Sequence, residues 1–89
     1  MIIKELFLLD VVIDFPKNSI ENQRLSVSIM NSIMESRSLQ GMLNYNESYK
    51  NLFYSCLDRI LNSILISNDL KIELRKRGKN LLFLNYNFL

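Results

Sequence analysis

The sequence predicts a small single α+β domain over residues 1–89, with N- and C-terminal strands in one sheet packed against two main helices. Near both ends of the chain, apolar residues recur at every second position, which is typical of half-buried strands. Between the ends, apolar residues recur every three to four positions in two long stretches, which is typical of amphipathic helices. A chain of 89 residues is also close to the usual size of one domain.

Residues 3–15 are predicted to form the first strand. In an extended backbone, Leu9, Val11 and Ile13 share one face, and Asp10 lies on the opposite face. The β-branched residues of this stretch also favour a strand. A helix is the competing interpretation, because the first half of the segment consists of good helix formers.

Pro16 ends this strand, and a helix is predicted from Ile20 to Arg37. Asn18, with Glu21 three residues later, resembles a capping box, in which two side chains satisfy free N–H groups at a helix start. Apolar residues at four-residue spacing give the helix its buried face, namely Leu25, Ile29 and Ile33. Gly41 and the short segment Met42–Tyr45 predict a turn and a brief strand after it.

The second helix has the most regular pattern in the chain. One apolar row consists of Tyr49, Phe53, Leu57, Leu61 and Leu65. A neighbouring row consists of Leu52, Cys56, Ile60 and Ile64. Asn46 is in place to cap the start of this helix, and Ser67, Asn68 and Asp69 interrupt the pattern at its end.

The last part of the chain is predicted to contain a short helix and a closing strand. Residues 70–77 alternate like a strand, but most of them are strong helix formers, so a helix is favoured. Gly78 is placed where a helix C-cap glycine belongs. Beyond it, four apolar residues share one side of an extended chain, namely Leu82, Leu84, Tyr86 and Phe88. This strand is predicted to pair with residues 3–15.

The residues needed for common catalytic and metal sites are missing, so we expect no enzyme activity and no cofactor or metal. The chain has no histidine and one cysteine, which excludes the usual triads and a structural zinc site. Asp10 and Asp14 form a possible carboxylate pair or cation site, but the solvated edge of a strand is the simpler interpretation. Cys56 falls within the apolar stripe and is predicted to be a core residue, with a reactive thiol as the alternative.

A basic segment provides the candidate nucleic-acid-binding residues. It contains five of the eleven positive charges of the chain, opposed only by Glu73: Lys71, Arg75, Lys76, Arg77 and Lys79. Such a cluster can neutralise phosphates and hold a domain on RNA or DNA. Alternatively, these cations complement the negative end of a helix dipole and keep an apolar chain soluble.

Two motifs carry a family resemblance. Phe7-x-Leu9-Asp10 is followed by a proline, a helix, a short extended piece and a long apolar-striped helix. Near the end, NDLKIELRKRGKNLLFLNYNF contains Leu70-Lys71-x-x-Leu74-Arg75, which leads through a short turn to the last strand. In these motifs and in this order of elements the chain resembles the family of the eukaryotic large-subunit ribosomal protein number twenty-two.

The resemblance implies an α+β protein on the ribosome surface, with ribosomal RNA and neighbouring ribosomal proteins as its partners. Carried over by position, the RNA contacts would be made by Lys71 and Arg75 with the adjacent Lys76 and Arg77. This chain departs from the family pattern in two places. Residues 52–66 contain only two charged side chains where the family helix is rich in lysine, and the family's glycine-rich hairpin between the helices is missing.

The leading hypothesis is therefore a small non-catalytic RNA-contacting subunit of a large ribonucleoprotein, most specifically a structural protein of the large ribosomal subunit. The alternative is a protein–protein interaction module, such as an adaptor or a phage- or plasmid-encoded inhibitor. It would act through an exposed apolar surface that includes Leu81–Leu84 and Phe88-Leu89, covered by a protein partner or a second copy. A lone cysteine and the lack of any long apolar run predict a cytoplasmic, reducing location and no membrane contact.

Overall fold

The computed structural model describes residues 4–13 and 20–79, and this part of the chain is helical. It contains five helices: α1 (Lys4–Val12), α2 (Ile20–Glu35), α3 (Arg37–Asn44), α4 (Glu47–Leu61) and α5 (Asn68–Lys79). No strand occurs among the described residues, so the predicted α+β class is wrong and the described part is all-α. None of these five helices is both long enough and apolar enough to cross a membrane.

The core lies where the other helices meet α2 and α4. Each of these two helices contacts all four others, whereas α5 contacts neither α1 nor α3. The buried side chains of α4 are Phe53, Cys56, Leu57 and Ile60. Those of α2 include Met30 and Ile33, and α1 adds Leu6 and Leu9. The prediction that Leu57 and Cys56 are core residues is confirmed.

The predicted N-terminal strand is wrong, because residues 4–12 form a helix. The helix buries Leu6 and Leu9, and Ile13 directly after it is also buried, at a spacing of three and four positions that is helical. Val11, which a strand would bury beside Leu9, is 63% exposed. The predicted pairing with the closing strand is therefore not possible here, and that closing strand itself lies outside the described residues.

Side chains of α2 satisfy the end of α1. The last carbonyl groups of a helix have no partner within the helix. The side-chain amide of Gln23 donates to the carbonyl of Ile13 at 3.2 Å, and that of Asn22 donates to the carbonyl of Val12 at 3.4 Å. These bonds fix the C-terminal end of α1 against the start of α2. The predicted capping box at Asn18 lies outside the described residues.

A third helix replaces the predicted turn and brief strand at 41–45. The first long helix begins at Ile20 as predicted but ends at Glu35, and Ser36 then caps α3. The Ser36 hydroxyl accepts a hydrogen bond from the N–H of Leu39 at 3.3 Å. The buried side chain of Gln40 donates to the carbonyl of Met34 and closes the corner between the two helices.

The predicted start of α4 is confirmed, but its predicted length is not. The Asn46 side chain accepts a hydrogen bond from the N–H of Tyr49 at 3.0 Å. The helix ends at Leu61, one turn before the last apolar residues of the stripe. Ile64 consequently points outward and is 91% exposed. Asn62 and Ser63 favour this ending, because their short polar side chains compete with helical backbone hydrogen bonds.

Residues 70–77 are helical, as favoured by the sequence, within α5. The predicted role of Gly78 as a C-cap glycine is wrong, because α5 continues through it to Lys79. Gly78 is buried in the helix, and Leu74 one turn before it is 1% exposed.

Replacing Leu57 by alanine should lower the free energy of unfolding by about 2–5 kcal/mol, because it leaves a cavity in the core. The prediction that Leu25 lies on the buried face of α2 with Ile29 and Ile33 is wrong, because its side chain is 47% exposed. Leu25→Ala is therefore the matched control. That change should cost about 0.5 kcal/mol or less. Chemical denaturation followed by circular dichroism measures both values. Equal effects of the two substitutions would contradict the placement of Leu57 in the core.

Replacing Gly41 by alanine should stabilise the protein by about 0.5–1 kcal/mol, because glycine is a poor residue for a helix interior. A Cβ at this position would meet no atom within 4 Å, so the substitution causes no clash. Thermal melting measures the effect. A lower melting temperature for Gly41→Ala would show that this part of α3 is not a regular helix.

Candidate nucleic-acid interface

The predicted basic segment lies on α5, which is anchored to the core by its opposite side. Leu74 and Gly78 face inward, and Ile72 is 49% exposed. At the start of the helix, the Ser67 hydroxyl accepts a hydrogen bond from the N–H of Leu70 at 3.3 Å. This contact caps the first turn of α5.

Helical spacing divides the five candidate cations between two sides of α5. Residues four apart lie one turn apart on the same side of a helix, so Lys71, Arg75 and Lys79 form one row. Lys76 belongs to the neighbouring row, beyond Ile72. The side chain of Lys79 lies outside the described part. We call Lys71, Ile72, Arg75 and Lys76 the α5 basic face.

Arg77 lies on the other flank and is bound within the protein. Its guanidinium donates to the Asn31 side chain at 3.0 Å and to the Glu35 carboxylate at 3.2 Å, both on α2. It also pairs with Glu73, one turn earlier on α5, at 3.5 Å. Two carboxylates therefore balance the charge of Arg77, and the residue joins α5 to α2.

The α5 basic face has no such partners. Among the described residues, no side-chain hydrogen bond or ion pair involves Lys71, Arg75 or Lys76. Lys76 is exposed, and Lys71 and Arg75 are partly exposed. The only carboxylate of the segment, on Glu73, is already paired with Arg77. Three positive charges and one exposed apolar side chain thus remain available to a ligand on one side of a helix.

A second surface, not identified from the sequence, lies where α3 meets α4. A groove of about 430 Å³ is lined by Gly41, Met42, Tyr45, Asn46 and Tyr49. We call it the α3–α4 groove. The ring of Phe7 on α1 packs edge-on against Tyr49, with ring centres 5.7 Å apart. Residues 41, 42 and 45 have a spacing that places them on one side of a helix, and this spacing could have indicated the groove. It was overlooked because Gly41 was assigned to a turn.

Asp10 is an ion-pair partner between helices and not the solvated edge of a strand. Its carboxylate pairs with the guanidinium of Arg59 on α4. Arg59 also lies 3.5 Å from the Asp10 carbonyl and donates to the Cys56 sulfur at 3.3 Å. Cys56 is fully buried, which removes its thiol from solvent. Asp14, the other member of the proposed carboxylate pair, lies outside the described residues.

The described residues contain no group of three or more cysteine, aspartate or glutamate side chains arranged to hold a metal ion.

One ionisable side chain on α4 has a pKa outside its usual range. Burial raises the pKa of Tyr54 to about 12, and the negative charge of Glu47 adds to the effect.

Comparison of the chain with protein-family models, curated proteins and solved structures gives no match. The family resemblance noted in the sequence also implies an α+β fold, from which the helical residues 4–12 depart. The arrangement of charges on α5 is therefore the main observation that bears on function.

Arg77→Gln should lower the free energy of unfolding by about 0.5–1 kcal/mol, the usual range for a partly exposed ion pair. Arg75→Gln, two residues earlier, should change it by less, because no contact among the described residues is lost. Urea denaturation at low and high salt measures both, and the Arg77 effect should shrink as salt screens the pairs. Loss of more stability in Arg75→Gln than in Arg77→Gln would reverse the assignment of the two residues.

Proposed function

We propose that this chain is a non-catalytic RNA-contacting subunit of a ribonucleoprotein and that it binds phosphate through the α5 basic face. The observation that carries the proposal is the division of the basic segment. Arg77 is neutralised by Glu35 and Glu73, whereas Lys71, Arg75 and Lys76 have no partner among the described residues. Cations held on one side of a rigid helix are suited to following a phosphate backbone.

The chemistry of this face favours a nucleic acid over a small anion. Lys71 and Arg75 lie one turn apart, with Ile72 and Lys76 beside them, so the charges extend along the helix. An extended polyanion can contact several of them at once and release several counterions. The exposed Ile72 adds an apolar contact for a sugar or a base.

The large ribosomal subunit is the assembly suggested by the resemblance at Leu70-Lys71-x-x-Leu74-Arg75. The helix that this motif predicts does form, but the fold at the other end of the chain departs from that family. The proposal therefore depends on the charges of α5, and the ribosome is its specific form. Association with a ribonucleoprotein other than the ribosome would support RNA contact by this chain but not the ribosomal assignment.

The first test is binding of a single-stranded oligouridine to the full chain, measured by fluorescence anisotropy over a range of salt concentrations. Three phosphate contacts should give a slope of about −2 for log K against log salt, at about 0.7 per contact. Replacing Lys71, Arg75 and Lys76 together by glutamine should abolish binding and remove the slope. Circular dichroism should show that the triple variant stays folded.

The matched control removes the same charge from other helices. Lys4, Arg24 and Arg37 are exposed and lie on α1, α2 and α3. Replacing these three by glutamine changes the net charge equally but should leave most RNA affinity in place. Equal losses in the two triple variants would mean that binding follows net charge and not the α5 basic face. Lack of RNA affinity in the unmodified chain at low salt would overturn the proposal.

A second candidate function, binding of a protein partner, is favoured by the α3–α4 groove. Tyr45 at its edge is 90% exposed, and large exposed aromatic residues are enriched in protein interfaces. The groove is lined by residues of α3 and α4, so it lies on different helices from the α5 basic face. A subunit of a ribonucleoprotein can use both.

A further inference from the structure

A groove runs along α2 on the side that is next to α5. Its wider part, of about 430 Å³, is lined by α2 side chains between Arg24 and Glu35 and by Leu70 on α5. Its narrower part, of about 230 Å³, shares Arg24, Val27 and Leu70 and continues to Ile20 at the start of α2. The two parts together extend along the length of α2, and we call them the α2–α5 groove.

The lining of the α2–α5 groove is apolar at one end and polar in the middle. Ile20 is 51% exposed, and Leu70, which both parts share, is 44% exposed. The described lining has one cation, Arg24, and one carboxylate, that of Glu35, which already pairs with Arg77. The wider part adds the neutral polar side chains of Ser28, Asn31 and Ser32. This lining suits an uncharged occupant with apolar side chains and amide groups.

The segment that follows α5 has this composition. Residues 80–89 lie outside the described part, and their sequence contains seven apolar residues, three asparagines and no charged residue. In an extended chain, Asn85 and Asn87 lie opposite the row of apolar side chains. Removing such apolar side chains from water is favourable, so we expect this segment to cover an apolar surface.

The direction of α5 leads this segment to one end of the groove. Near the end of α5, the Arg77 guanidinium lies 3.2 Å from the Glu35 carboxylate at the end of α2. Near the start of α5, Leu70 lines the groove together with Val27, two turns earlier on α2. The two helices therefore run in the same direction, and a chain that reverses after α5 meets the groove at its Glu35 end.

The length of the segment is sufficient for the whole groove. From Glu35 back to Ile20, α2 is about 22 Å long at 1.5 Å per residue. Ten extended residues span up to about 33 Å, which leaves two or three residues for the reversal after Lys79. The segment can thus follow the groove to the start of α2 without any change in the position of α5.

We infer that residues 80–89 fold back along the α2–α5 groove and act as a strap that holds α5 on α2. Because the segment is attached to α5, its effective concentration at the groove is high, and no second molecule is needed. Arg77 joins the two helices near their ends, and the strap extends the attachment to Leu70. The inference is independent of RNA binding, because Lys71 and Arg75 lie on the flank of α5 away from Arg77.

The test is paramagnetic relaxation in the full chain labelled with ¹⁵N. Asn85→Cys supplies an accessible thiol for a nitroxide label, because the native Cys56 is fully buried. A strap places the label over the middle of α2. The amide signals of Val27 and Leu70 should therefore lose more than half of their intensity and recover when the nitroxide is reduced. Signal loss confined to Glu35 and the last turn of α5 would overturn the inference.

Charged variants test whether the groove itself holds the segment. Ser28→Glu with Ser32→Glu places two carboxylates at exposed lining positions, which should release the strap and restore most of the Val27 signal. The matched control, Asn51→Glu with Ser55→Glu, adds the same charge at the same spacing on exposed positions of α4. It should leave the loss at Val27 unchanged, and circular dichroism should show both variants folded. Equal effects of the two pairs would contradict the assignment to the groove.

Mixing two preparations distinguishes the strap from a second copy of the chain. A ¹⁵N-labelled chain without nitroxide is mixed with an unlabelled chain that carries it at position 85. The strap predicts no loss of the Val27 signal in this mixture, because each groove is filled by its own segment. Loss at Val27 in the mixture would assign the groove to a neighbouring copy. Loss centred on Tyr45 and Tyr49 in the labelled chain would place the segment in the α3–α4 groove. Either result would overturn the inference.

Discussion

The buried side of α4 is the constraint on which the rest of the described structure depends. Phe53, Leu57 and Ile60 are fully buried there, and all four other helices contact this helix. Removing such side chains from water contributes roughly 1.5–3 kcal/mol each. The Asn46 cap fixes where α4 begins, and that position in turn places Tyr49 beside the end of α3. The core thus determines the geometry of the α3–α4 groove as well as the attachment of α5.

Two arginines join helices in the described part of this protein, whereas the cations of the α5 basic face do not. Arg59 holds α1 on α4 through Asp10, and Arg77 holds α5 on α2 through Glu35. Each joins helices that are distant in sequence and uses the planar, many-donor geometry of a guanidinium. Lys71 and Lys76 have no comparable contacts within the described residues. The distinction between bound and available cations supports a ligand for the α5 basic face, which net charge alone would not.

The sequence correctly predicted the helices whose capping residue and apolar spacing extend over several turns of one segment. The start of α4, its capping residue and its buried row all follow from spacing within one segment, and residues 70–77 were correctly favoured as helix. The strand assigned to 3–15 failed because Leu9, Val11 and Ile13 fit a period of two by chance. The buried residues are Leu6, Leu9 and Ile13. Which of these two patterns is buried depends on α2 and α4, and a pattern within one segment does not contain that information.

The candidate site was predictable only in part for the same reason. The basic segment was evident, but the partners of Arg77 lie 46 and 42 positions away in the sequence, at Asn31 and Glu35. Helical spacing puts Arg77 and Arg75 on different sides of α5, but which of the two sides meets α2 is decided only when the helices pack. The α3–α4 groove was missed because Gly41 indicated a turn. Its position within a helix becomes apparent only when Ser36 and Gln40 are seen to close the corner between α2 and α3.

The central claim is that the chain is an RNA-contacting subunit, and sedimentation of the native protein tests it most directly. An extract of the source cell would be separated on a sucrose gradient with and without prior RNase treatment. The account predicts that the protein migrates with a large particle and is released from it by RNase. Co-migration with the large ribosomal subunit would identify that particle as the ribosome. Migration as a free small protein, or in a complex that RNase leaves intact, would contradict the account.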